Sequence, residues 1–240
     1  MNRILALLVL ACACAGAGAV EVGKYETRLD VAADGTGEAN VALTVAGAQA
    51  GHLKLPVGFA AMDAFAPREV PPGVVLTPHA SKEQSWIDIE FPNDAPADMK
   101  IGFTFRIPGV LFVPKPEEGQ KSAFPAGSRL LRHSFVNTQE TPIASYRLVV
   151  RLPDEAMVHM IREQLPKPKR KEFVPRVDLD RFDGRQGALL QYSGLRQGDR
   201  TSMELEVVGQ RRSMTWLVLL LPLALGYLVA FRDTIRPPSA

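Results

Sequence analysis

Residues 214–231 read MTWLVLLLPLALGYLVAF, an uncharged apolar run that limits what the chain can fold into more than any other stretch. At about 1.5 Å of rise per residue, a run of this length makes a helix of roughly 27 Å, close to the hydrocarbon thickness of a bilayer. The expectation is a single transmembrane helix over 214–231 followed by a short tail, 232–240. Trp216 and Tyr227 stand near its two ends, where aromatic belts sit. The rest of the chain must then fold on one side of a membrane.

The other end says which side. Residues 1–19 carry Arg3, then an apolar stretch from Ile4, then small residues ending Ala17-Gly18-Ala19, the layout of a secretory signal peptide with cleavage after Ala19. Val9-Leu10-Ala11-Cys12 resembles a bacterial lipoprotein processing box, so lipidation of Cys12 is the alternative. Either way residues 20–210 are expected outside the cytoplasm, with 214–231 as the stop-transfer segment. Both cysteines, Cys12 and Cys14, fall in the signal segment, which excludes disulfides and thiolate chemistry from the mature domain. That absence, and the lack of any Asn-x-Ser/Thr sequon, favours a bacterial inner membrane with the domain facing the periplasm.

Charge adds little. The chain has 28 basic and 26 acidic residues, and loss of Arg3 leaves 27 against 26, so nothing suggests a nucleic-acid partner. The 19 prolines and 19 glycines have no period, as expected where many short strands are joined by turns.

The alternation along the chain is of strand type. Tyr25 to Val31 and Glu38 to Val45 flank Asp34-Gly35-Thr36-Gly37 and read as a β-hairpin. Gln84 to Phe91 and Lys100 to Ile107 alternate apolar and polar residues, as half-solvated strands do. Residues 113–128 open with a stretch rich in proline and charge and read as a linker or long loop. Beyond it, Arg129 to Val136, Ile143 to Leu152, Gly187 to Tyr192 and Ser202 to Val208 again read as strands. Met157 to Leu165 fits neither the helix nor the strand period, and a short helix is one reading of it. The expected fold class is mainly β: one or two β-sandwich-like extracytoplasmic domains, 20–112 and 129–210, followed by a single C-terminal transmembrane helix. Only Gly209 to Ser213 separate the last strand from that helix. Five residues reach less than roughly 18 Å, which holds the second half against the bilayer.

Candidate chemistry is sparse. Asp34-Gly35-Thr36-Gly37 differs from the Asp-Thr-Gly triplet of aspartic proteases by its inserted glycine and reads as a turn. Asp178, Asp180 and Asp183 precede Gly184 somewhat as calcium ligands do, but the third acid is one position late and no closing glutamate follows. His52, His79, His133 and His159 show no zinc-type spacing. Met157 and His159, two apart on a strand, would converge on one face as soft ligands for copper(I). No Gly-x-Ser-x-Gly elbow or phosphate loop is present. The strongest surface feature is Pro166-Lys167-Pro168-Lys169-Arg170-Lys171, whose prolines oppose helix and sheet and leave Lys167, Lys169, Arg170 and Lys171 displayed to an acidic partner or to lipid headgroups.

The expectation is therefore a membrane-anchored extracytoplasmic binding or assembly module, an accessory factor or subunit of a membrane complex rather than an enzyme. It needs no cofactor, and its partner is a membrane or membrane-adjacent protein on the extracytoplasmic side. The alternative is an exported protein that handles copper or binds a ligand, using Met157 and His159.

Overall fold

The hairpin written as Asp34-Gly35-Thr36-Gly37 is held by its own side chains. Asp34 Oδ1 accepts the Thr36 backbone N–H at 2.9 Å and the Thr36 hydroxyl at 2.8 Å, and Gly35 supplies the positive φ of 89° that the turn requires. These bonds to its charged form hold the Asp34 carboxyl below the usual carboxylate range. The turn joins β1 (Glu21–Val31) to β2 (Gly37–Ala46), antiparallel in register from Val31 opposite Gly37 to Glu21 opposite Ala46.

The computed structural model describes residues 20–47, 51–81, 84–114, 124–125, 127–165, 176–209 and 227. Among them the chain is mainly β. The remaining strands are β3 (His52–Pro56), β4 (Asp63–Glu69), β5 (Val75–His79), β6 (Trp86–Glu90), β7 (Asp98–Ile107), β8 (Leu111–Phe112), β9 (Arg129–Val136), β10 (Ile143–Arg151), β11 (Ala156–Leu165), β12 (Arg176–Phe182), β13 (Arg185–Leu195) and β14 (Arg200–Gly209). They form a seven-stranded sheet in the order β12-β13-β10-β1-β2-β7-β4, a four-stranded sheet β11-β14-β9-β8 and a three-stranded sheet β3-β6-β5. The large sheet takes strands from both sides of segment 113–128, because β1 pairs in parallel with β10, Lys24 opposite Ser145. The described residues from 20 to 209 make one compact unit.

Alternation explains the core. Tyr25, Leu29, Val41, Leu43, Phe103, Phe105, Tyr146, Leu148 and Leu190 from the large sheet are buried, and so are Leu131, Phe135, Met203 and Leu205 from the four-stranded sheet and Leu53, Leu55, Ile87 and Ile89 from the three-stranded one. Tyr25 touches both smaller sheets: its ring lies 5.2 Å from that of Phe135, and its hydroxyl donates to Pro56 O at 3.2 Å. Each such ring removes a large apolar area from water, at about 25 cal/mol per Å² of apolar surface.

The segment that fits neither period is strand β11. Its pairing with β14 slips between Val158 and Met160 and again between Ile161 and Glu163, and each slip shifts the alternation by one residue. Asp178, Leu179 and Asp180 lie in the edge strand β12, and Asp183-Gly184, at φ 52° and 80°, is the tight turn into β13. Among the described residues no helix is long and apolar enough to cross a membrane. The expected spans 1–19 and 214–231 lie outside those residues, Tyr227 excepted.

Candidate functional site

The outer face of the three-stranded sheet brings together two of the histidines with a tryptophan and an aspartate that sequence spacing leaves scattered. Register sets Lys54, Asp88 and Thr77 in one cross-strand row, with His52, Glu90 and Val75 on one side of it and Pro56, Trp86 and His79 on the other. While the intervening Leu53, Leu55, Ile87 and Ile89 go to the core, this set, apart from the buried Pro56, faces outward.

Asp88 is its hub. Asp88 Oδ2 lies 2.8 Å from His79 Nε2 and accepts the Trp86 indole N–H at 3.4 Å, while Oδ1 lies 3.5 Å from His52 Nε2. The His79 ring stacks on Trp86 with centroids 5.0 Å apart and 10° between planes, and the Lys54 ammonium sits 4.3 Å from the Trp86 ring centroid. One carboxylate thus ties all three strands, and an imidazole and an ammonium fix the indole. The Asp88 side chain is 22% exposed, against 57% for His52 and 39% for His79. The face therefore presents two imidazoles around a more shielded carboxylate.

The core holds a buried polar pair from the other two sheets. His133 Nε2 and the Tyr146 hydroxyl share a hydrogen bond of 2.6 Å within a cluster of Tyr25, Phe135 and Phe59 rings. Burial pushes the His133 imidazole down to about 3 and holds it neutral. Burial, with Tyr25 and Tyr192 nearby, pushes the Tyr146 hydroxyl well above its ordinary range. The other ring nitrogen, Nδ1, is buried without a hydrogen-bond partner. Gly58 allows the close fit: a Cβ there would come within 2.1 Å of His133 Cε1, and its φ of 80° suits glycine.

Two charged networks brace the sheets. Asp30 takes Arg151 and Arg185, while Arg185 also donates to Leu152 O at 2.7 Å and Val31 O at 2.9 Å. On the four-stranded sheet Glu206, with 1% of its side chain exposed, pairs with Arg162 at 2.5 Å and accepts the Ser128 hydroxyl at 3.0 Å.

Of the residues that the sequence singles out, Lys167, Lys169, Arg170 and Lys171 lie outside the described residues, between β11 and β12. Met157 is half-buried on β11 and His159 is exposed. The first bulge of β11 falls at His159 and interrupts the alternation on which their convergence depends. Among the described residues no group of three or more His, Cys, Asp or Glu side chains could hold a metal ion. His52, His79 and Asp88 come together only through strand register. The outward set of β6 is legible as alternation in Gln84 to Phe91, but its partners on β3 and β5 are not.

No family model matches the chain, and no curated protein matches it. Among solved structures, a candidate nutrient-binding protein from Legionella pneumophila is similar with a TM-score of 0.47 at 12% identity, over 80% of this chain and 68% of that one. An M1 zinc metallopeptidase from Deinococcus radiodurans is similar with a TM-score of 0.39 at 13% identity, over 80% of this chain and 43% of its own. Native leukotriene A4 hydrolase from Saccharomyces cerevisiae gives 0.40 at 9% identity, over 78% of this chain and 29% of its own. The chain thus spans less than half of the two hydrolytic proteins. Likeness at this level assigns it neither an activity nor a ligand.

Proposed function

We propose that the chain is a binding or assembly module with a β-sandwich-like body, held on the extracytoplasmic side of a membrane by a single helix over 214–231. It engages a membrane or membrane-adjacent protein through the outer face of the three-stranded sheet. The observation that carries this reading is the fixed set of His52, Lys54, His79, Trp86 and Asp88 on one solvent-facing surface. Preset indole and charged groups recognise a partner without the entropy cost of ordering long side chains on binding, and tryptophan is the residue most enriched at binding hot spots. The uncharged run 214–231, the signal-like segment 1–19 and the short spacer Gly209 to Ser213 support the membrane placement. The basic strip Lys167, Lys169, Arg170 and Lys171 would supply a second contact of opposite character, attracted to acidic protein or headgroup surfaces.

The test is purification of the full chain in mild detergent, beside two variants. A stoichiometric membrane-protein partner is expected with the natural sequence. It should be lost with Trp86→Ala plus His79→Ala, and should become weaker and less salt-sensitive with the four basic residues changed to serine. A monomer with no co-purifying protein in several detergents sinks the reading, and a partner indifferent to Trp86 and His79 moves the docking face elsewhere.

A further inference from the structure

Strand β8 covers β9 only at Leu131 and Leu130. Beyond it the 58–61 loop approaches, with the Ser134 N–H donating to Gly58 O at 3.0 Å. Between that loop, the 107–110 turn and the outer side of β9 lies a cleft of about 560 Å³, within the roughly 300–1,000 Å³ typical of small-molecule sites.

Its lining has two parts. Phe59, Ile107 and Phe112 provide apolar walls, and Arg132, Ser134 and Arg200 provide the polar side. Arg200 donates from Nε to the Ser134 hydroxyl at 3.1 Å, and Arg132 pairs with Glu204 while lying 5.5 Å from the Phe112 ring centroid. One carboxylate against two guanidiniums leaves one positive charge at the polar end. No carboxylate is among the residues that line the cleft. The wall at Phe59 is preset, since its ring packs 4.8 Å from that of buried His133, over which Gly58 lies.

We propose that this cleft binds a small amphipathic monocarboxylate, its apolar body against Phe59 and Phe112 and its anionic head on Arg200 and Arg132. The planar fork of a guanidinium matches a carboxylate in two parallel hydrogen bonds. The single surplus charge suits a monoanion better than a doubly charged phosphate, whose second charge would stay uncompensated. Ligand entry displaces only solvent, because the walls are already in place.

The experiment uses the full chain in lipid nanodiscs, with empty nanodiscs as the partition control, and titrates 4-phenylbutyrate by calorimetry. Its neutral amide and phenyl phosphate are the comparison probes. Saturable one-to-one binding of the carboxylate is expected, with the amide and the phosphate each weaker. Arg200→Gln and Arg132→Gln are expected to weaken it about tenfold or more apiece, the loss typical of a charge-assisted hydrogen bond. Both residues are on the surface, and Arg200→Lys should recover part of the affinity. A second readout is the His133 ring proton resonance, which should shift on binding because the Phe59 ring packs against that ring with centroids 4.8 Å apart. Equal affinity for the amide, tighter binding of the phosphate, binding unchanged in both variants, or no saturable heat beyond the empty nanodiscs overturns the proposal.

Discussion

Acidifying the protein from pH 7 to pH 5 should cost about 2 kcal/mol of folding stability through His133 alone. In the folded chain this imidazole is pushed down to about 3, while in the unfolded chain it titrates near its ordinary value of 6.5. Between those values the unfolded state holds a proton that the folded state refuses, so stability falls as the pH drops through 6.5 and keeps falling until about 3. At pH 5 the unfolded group is about 1.5 units below its midpoint, and at about 1.36 kcal/mol per unit the penalty is close to 2 kcal/mol. Asp34, whose carboxyl is held below its usual range, loses its contribution only at lower pH and leaves this window clear. The assay is urea unfolding of the full chain in mild detergent at pH 7, 6 and 5, followed by far-UV circular dichroism. The comparison is His133→Phe, which keeps a ring beside Phe59 and Gly58 but cannot titrate. That variant should be less stable at every pH, because it strands the Tyr146 hydroxyl at about 1–3 kcal/mol. Its stability should nevertheless change far less from pH 7 to pH 5. If the natural protein shows no loss over that range, or the variant shows the same loss, the assignment of a neutral buried histidine is wrong.

Two further substitutions test the packing. Gly58→Ala places a Cβ 2.1 Å from His133 Cε1 at a φ of 80°, so it should destabilise by about 2–5 kcal/mol, read as a drop in melting temperature. Arg162→Met leaves the Glu206 carboxylate buried and without its cation, at a cost of about 3 kcal/mol or more. Adding Glu206→Met should recover most of that loss, and a double-mutant cycle that is simply additive would show that the pair is not coupled.

Local chemistry made some elements legible. The hairpin at Asp34 to Gly37, the half-solvated strand around Trp86 to Glu90 and the span Arg129 to Val136 follow from turn residues and period-two alternation. Prolines hid others: Pro56, Pro67 and Pro78 lie in β3, β4 and β5, each an edge strand where a missing N–H is tolerated. Bulges hid β11, because two register slips in ten residues erase any single period. The candidate surface was hidden for a different reason. His52, His79 and Asp88 meet across strands whose register depends on burying Leu53, Leu55, Ile87 and Ile89, a cooperative outcome of the whole core rather than a spacing. The same holds for His133 and Tyr146, which meet across two sheets.

The parallel pairing of β1 with β10 also sets an order of events in time. The first hairpin can close as soon as Ala46 is available, because β1 and β2 are joined by a short turn. The other flank of β1 must wait until Arg151 has been delivered, since Asp30 pairs opposite it. Until then Tyr25 and Leu29 sit on a strand with an open edge, the condition that favours association between chains. Contacts so distant along the chain also close slowly. A chain that emerges end first therefore spends its most vulnerable interval with its oldest strand half-paired, and any factor that escorts it should be needed until the tenth strand arrives.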